Sequence, residues 1–147
     1  MKSVWNDVDH RELQSRIDRL TPELSARWGK FTAPGMVCHL TDALKMATGE
    51  LPVAPKKLPI RFTPLKQLII YALPFPKGAP TAPELLSRRA TDWTCEVETL
   101  KRDLEAFARR GPKGPLVPHP AFGKLTPRTW GVLVYRHIDH HLRQFGC

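Results

Sequence analysis

At 147 residues, with 41% hydrophobic and 25% charged side chains, the chain has the size and mix of one globular domain, residues 1–147, rather than of a disordered or fibrous protein. Its formal net charge of +9 invites a nucleic-acid reading, since basic surfaces attract phosphates. Lys and Arg are nevertheless spread along the chain, and the densest group, RRGPKG at 109–114, has no interleaved aromatics and no recognised DNA- or RNA-binding motif around it.

The expectation is therefore no nucleic-acid partner, the basic excess being a solvated face or an attraction for small anions. The first residues, MKSVWNDVDHRELQSR, show no apolar signal region, and the longest apolar run, LIIYAL at 68–73, is too short to span a bilayer. A cytoplasmic protein without membrane association is expected. Cys38, Cys95 and Cys147 are odd in number, far apart and without a CxxC pair, so they read as reduced thiols.

Along the chain, apolar spacing first predicts a helix over about 6–19, with Leu13, Ile17 and Leu20 inward and His10 exposed. Thr followed by Pro supplies a capping oxygen and a first-turn residue that needs no amide hydrogen. Thr21-Pro22 thus predicts a short helix over 22–28, and Thr32-Ala33-Pro34 opens a longer one over about 33–48. Residues 51–80 form a proline-rich crossover, in which Thr63-Pro64 starts a short helix over 64–72.

Thr81-Ala82-Pro83-Glu84 reads as a capping box for a helix over about 82–109, striped by Leu86, Trp93, Val97, Leu100, Leu104 and Phe107. Thr126-Pro127 opens the last helix, over about 127–144. Nothing alternates with period two. The predicted fold is all-α, a four-helix bundle with a long proline-rich crossover between its second and third helices.

Two of these helices aim imidazole at their own apolar face. In WGVLVYRHIDHHLRQFGC, His137, His140 and His141 fall in the arc of Trp130, Leu133, Val134 and Gln144, whereas Asp139 points away. In PGMVCHLTDALKMATGE, His39 shares a face with Met36, Ala43, Met46 and Ala47. Buried imidazoles must pair their nitrogens, and two at i and i+4 reach a single ion with bonds near 2 Å.

His137 and His141 have that spacing, and His39 can complete a three-histidine metal site from the facing helix. His140 can pair with His137 at i,i+3, or stand behind the ligands as an acid, base or supporting group. His119, in VPHPAFGKLTP, packs the start of the last helix or serves as an acid or base. Asp42 either orients a ligand or is a solvated flank, and Cys38 is a small core residue. No GxSxG, P-loop or GxGxxG supports another chemistry.

One His on the second principal helix, a long crossover and HxxxH on the last helix together resemble the DinB/YfiT-like superfamily of metalloenzymes. RWGKFTAPGMVCHLTDAL, HPAFGKLTPRTW and YRHIDHHLRQFG look like a branch of it known only as a domain of unknown function. The resemblance implies a DinB/YfiT-like four-helix bundle with a divalent metal on His39, His137 and His141, often in homodimers. It also implies thiol S-transferase-like activity on a small-molecule substrate, with a low-molecular-weight thiol as co-substrate.

Three neutral imidazoles suit Zn²⁺ or Ni²⁺ and leave coordination positions open, where water or a thiol ionises near neutral pH. The leading expectation is accordingly a metal-dependent enzyme, thiol transferase or hydrolase in class, whose catalytic group is metal-bound water or thiol. The alternative is a bundle that binds a metal or small ligand without turnover, and a basic nucleic-acid-binding protein ranks third.

Overall fold

The computed structural model describes residues 1–56, 58–77 and 81–147. Among these the fold is all-α, with five α-helices and no strands: α1 (Asp7–Ile17), α2 (Ala33–Thr48), α3 (Leu65–Tyr71), α4 (Trp93–Arg110) and α5 (Pro127–Gln144). No helix is long and apolar enough to cross a membrane among these residues. Lys57 and residues 78–80 of the predicted crossover lie outside the described residues.

Local chemistry sets most helix limits. Asn6 accepts from the amides of Val8 and Asp9 at the start of α1, Thr32 from Gly35 at the start of α2, and Thr126 from Thr129 at the start of α5. Gly49 ends α2 at φ +85°, a left-handed conformation that favours glycine. Four of the helices close into a ring of contacts, α2 on α4, α4 on α1, α1 on α5 and α5 on α2, while α3 lies outside against α5. Leu13, Ile17, Met36, Leu40, Leu100, Leu104, Trp130, Ile138 and Leu142, at most 2% exposed, fill the space between them.

Three predicted starts are corrected. Residues 22–28 form no helix, because their backbone serves other partners: the Arg27 amide donates to the Gln144 carbonyl at 2.8 Å. At Thr63-Pro64 the threonine makes no capping bond, and α3 begins at Leu65 behind Pro64. The helix expected from residue 82 begins only at Trp93, where Asp92 accepts from the Cys95 amide at 2.8 Å.

Before it, Pro83–Leu85 makes a single 3₁₀ turn, and Leu86, expected on the apolar stripe, is 51% exposed. Glu84 turns away from the supposed capping box and accepts from the Ala54 amide at 3.2 Å. Tertiary partners override the local helix signal here.

The crossover is fastened to the bundle by polar contacts. The Arg136 guanidinium of α5 donates to the carbonyls of Ile69, Ile70 and Leu73, capping the C-terminal end of α3 with positive charge. Tyr71 and Thr129 hydroxyls bond at 2.7 Å.

At the N-terminus, residues 3–5 cross α5 where Gly131 leaves room, since a Cβ there would stand 2.2 Å from Trp5 Nε1. The Val4 amide donates to the Gly131 carbonyl at 3.1 Å, and the Trp5 ring stacks on Phe107 of α4 at 4.9 Å.

The late start of α4 has a measurable consequence. Asp92→Ala removes a helix cap and should cost about 1 kcal/mol, whereas Thr81→Ala should change stability by only a few tenths. Chemical denaturation of the two variants checks this, and the reverse ranking would restore the earlier helix start.

Candidate metal centre

Almost every residue of α2 from Met36 to Leu44 is buried, so its polar side chains need internal partners. Thr41 bonds back to the Val37 carbonyl at 3.0 Å. Asp42, left open between a ligand-orienting and a solvated role, does neither: it is buried and accepts from Arg88 Nε at 3.1 Å. Arg88 also donates to buried Glu96 of α4 at 2.5 Å, so one guanidinium joins two helices. Cys38 lies in the same interior as a core residue, its thiol pushed up to about 11, chiefly by burial.

His39 turns to the other side. Its Nδ1 lies 3.3 Å from the Leu85 carbonyl, an acceptor only, so Nδ1 carries the proton and Nε2 presents a lone pair. That lone pair faces His137 Nε2 at 3.0 Å. His141, one turn beyond His137 on α5, has its Nδ1 2.8 Å from Gln144 Oε1, while Gln144 Nε2 donates to the Trp28 carbonyl at 2.6 Å. The amide is thereby oriented at both ends, and His141 keeps Nε2 for the cluster.

The three ring centroids stand 4.9–5.0 Å apart, and one ligand nitrogen from each of His39, His137 and His141 lies within 4.8 Å of the others. Phe31 covers one side, its ring 5.0 Å from His39 and 5.5 Å from His141.

Electrostatics keep these rings neutral. Desolvation lowers His39, and it lowers His141 to about 3, with the neighbouring imidazoles adding to the effect. His137 is held well below its ordinary value by burial and then by His141 and His39, although its side chain keeps partial exposure. Neutral imidazole is the form that binds a metal ion.

The group fits a small divalent cation, because tetrahedral bonds of about 2.0–2.1 Å place ligand nitrogens about 3.3 Å apart. The His39–His137 separation of 3.0 Å is close to that value, the others fall within 4.8 Å, and two of the three rings are already locked by Nδ1 bonds to internal acceptors.

Of the other candidates, His140 is outside the group of three. It is half-exposed, 5.2 Å from the His141 ring, and packs edge-on to Trp28 at 5.7 Å. His119 folds its own turn instead: Nδ1 accepts from the amides of Ala121 and Phe122 at 3.1 and 3.3 Å, and the ring leans on Trp130. Burial lowers its pKa to about 4. His10, expected exposed, is only 8% exposed between α1 and α4, with Nε2 3.3 Å from Glu105.

Sequence alone assigns no site role to Leu85, Trp28, Phe31 or Arg88, although Trp28 and Phe31 lie in one of the phrases that carry the resemblance. Only Gln144, on the same stripe as the histidines, carried a signal of its role. A surface hollow of about 230 Å³ beside the C-terminal end of α2, lined by Met46, Leu51, Val53 and Val117, holds none of the histidines.

The chain belongs to the family described as "Protein of unknown function (DUF1569)", which matches residues 11–146 and so includes all three gathered histidines. No curated protein and no solved structure matches it.

His119 gives the site's surroundings a pH signature. Its folded value of about 4 lies below the unfolded value of about 6.5, so its contribution to stability is complete above pH 6.5 and is lost as pH falls towards 4. In His119→Asn, whose Oδ1 can take the Nδ1 role, that loss disappears. Between pH 6.5 and 4 the stability difference between wild type and variant should shrink by about 1.4 kcal/mol per pH unit. Denaturation in metal-free buffer measures it, and parallel pH curves would contradict the assignment.

Proposed function

We propose that this chain is a DinB/YfiT-like four-helix-bundle metalloprotein whose His39, His137 and His141 hold one divalent ion, Zn²⁺ or Ni²⁺, for thiol-transfer or hydrolytic chemistry on a small molecule. The observation that carries the reading is the convergence of three neutral imidazoles whose outer nitrogens, in His39 and His141, are already committed to Leu85 and Gln144. The ring of α1, α2, α4 and α5, with the crossover joining α2 to α4, supports the bundle assignment.

Bound there, the ion supplies Lewis acidity that makes a thiol or water nucleophilic near neutral pH. The chain's own residues do the rest. Leu85 and Gln144 fix ring orientation and tautomer, Phe31 shields one side from water, and the partial exposure of His137 leaves an approach from outside. All ligands being histidine, with no thiolate among them, suits a centre that retains open positions.

Elemental analysis of protein purified without a polyhistidine tag tests the reading. About one metal per chain is expected, lost in His39→Ala and in His141→Ala but kept in His119→Ala and His140→Ala. Full occupancy in both ligand variants would sink it. Gln144→Ala should bind metal about 10–100-fold more weakly than the parent, measured by chelator competition. Thiol consumption with a panel of electrophiles then separates catalysis from a merely structural ion, for which metal-loaded protein shows no rate above background.

A further inference from the structure

Beside the histidine cluster lies a second group of side chains with unspent binding capacity. His140, adjacent to His141, stands between the rings of Trp28 and Phe75, at 5.7 and 6.1 Å. The Lys77 ammonium sits 4.6 Å from the Trp28 ring centroid, and neither Lys77 nor His140 has a carboxylate partner among the described residues. The nearest acid in sequence, Asp139, is turned away to Arg16 and Arg143.

Trp28 Nε1 is buried and has no hydrogen-bond partner among the described residues. A buried donor left unpaired costs about 1–3 kcal/mol, so its persistence calls for an acceptor that comes from elsewhere. The Trp28 ring with Lys77 over it, the Phe75 ring with the Arg136 guanidinium 4.8 Å from its centroid, the His140 imidazole and the unpaired Trp28 N–H are therefore neighbours, and every polar group among them is a cation or a possible donor. The complementary ligand is flat and apolar in body and carries an oxyanion.

We propose that Trp28, Phe75, Lys77 and His140 form a subsite that holds the oxyanion and flat body of a small organic acid next to the three-histidine centre. The inference rests on the metal reading for its function, though not for its binding chemistry. Lys77 neutralises the acid, Trp28 and His140 donate to its oxygens, and Phe75 and Trp28 pack its body. The Trp28 carbonyl, through Gln144, also holds His141, so a ligand seated on Trp28 bears directly on the segment that orients one histidine of the centre.

Calorimetric binding of benzoate, phenyl phosphate and benzamide to the full chain tests it, with metal content measured on the same samples. Benzoate or phenyl phosphate should bind at least about tenfold more tightly than the uncharged benzamide, the stronger of the two identifying carboxylate or phosphate as the oxyanion. Lys77→Gln, and Trp28→Phe, which keeps a ring but removes the N–H, should each weaken that binding about fivefold or more with metal content unchanged. Lys113→Gln, at an exposed position, should leave it as it was.

Equal binding of benzoate and benzamide, or Lys77→Gln and Trp28→Phe behaving as the parent, would overturn the subsite. So would metal-loaded protein that binds none of the three probes at millimolar concentration. Metal-free protein that still binds benzoate in a Lys77-dependent way would remove the metal reading and leave the subsite standing.

Discussion

A polar side chain withdrawn from water must find a partner, and α2, buried on nearly every side, carries His39, Thr41 and Asp42 into the interior. Much of the surrounding chain is arranged around that requirement. After the 3₁₀ turn at Pro83–Leu85, residues 86–92 run as non-helical chain, whereas a continuous α-helix would commit the Leu85 carbonyl to the amide of residue 89 in competition with His39. The same extended path brings Arg88 down to Asp42 and Glu96, where one cation serves two buried carboxylates. What the crossover lacks in regular structure it returns as satisfaction of α2.

The equivalent need on α5 is met from the opposite direction. Gln144 spans from His141 to the Trp28 carbonyl, and the chain around Trp28 gives up helical bonding to pair with the end of α5. Each of these two histidines is thus oriented by a loop carbonyl, directly for His39 and through one amide for His141. Such an outer layer restricts both the tautomer and the rotation of the two imidazoles, so that their arrangement is fixed at the level of backbone geometry.

The sequence made the helices α2 and α5 legible because their Thr and Pro starts and apolar stripes agree with the tertiary structure. It made the three histidines legible because imidazoles at apolar positions of two helices contradict the pattern around them. Residues 22–28 and 82–92 carry the same Thr-Pro punctuation, yet their conformation is decided by Gln144, Asp42 and Glu96, which are remote in sequence. The partners that orient the histidines include backbone carbonyls, which residue identity does not mark. The burial of His10 is hidden from the sequence for a related reason: Glu105, its partner, lies on a helix whose packing against α1 periodicity alone does not reveal.

The N-terminal strap has a bearing on where this protein's folding unit begins. The family match starts at residue 11, yet Val4 is 1% exposed, Trp5 stacks on α4, and Gly131 lacks a side chain at the place where the strap passes. Glycine inside a helix costs about 1 kcal/mol relative to alanine, so α5 accepts a weakness in order to seat residues that similarity to the family does not reach. The packing of this chain therefore extends beyond the residues that the family match covers. A fragment trimmed to the matched region would lose the Asn6 cap and the first turn of α1 and would uncover Phe107 where Trp5 stacks on it.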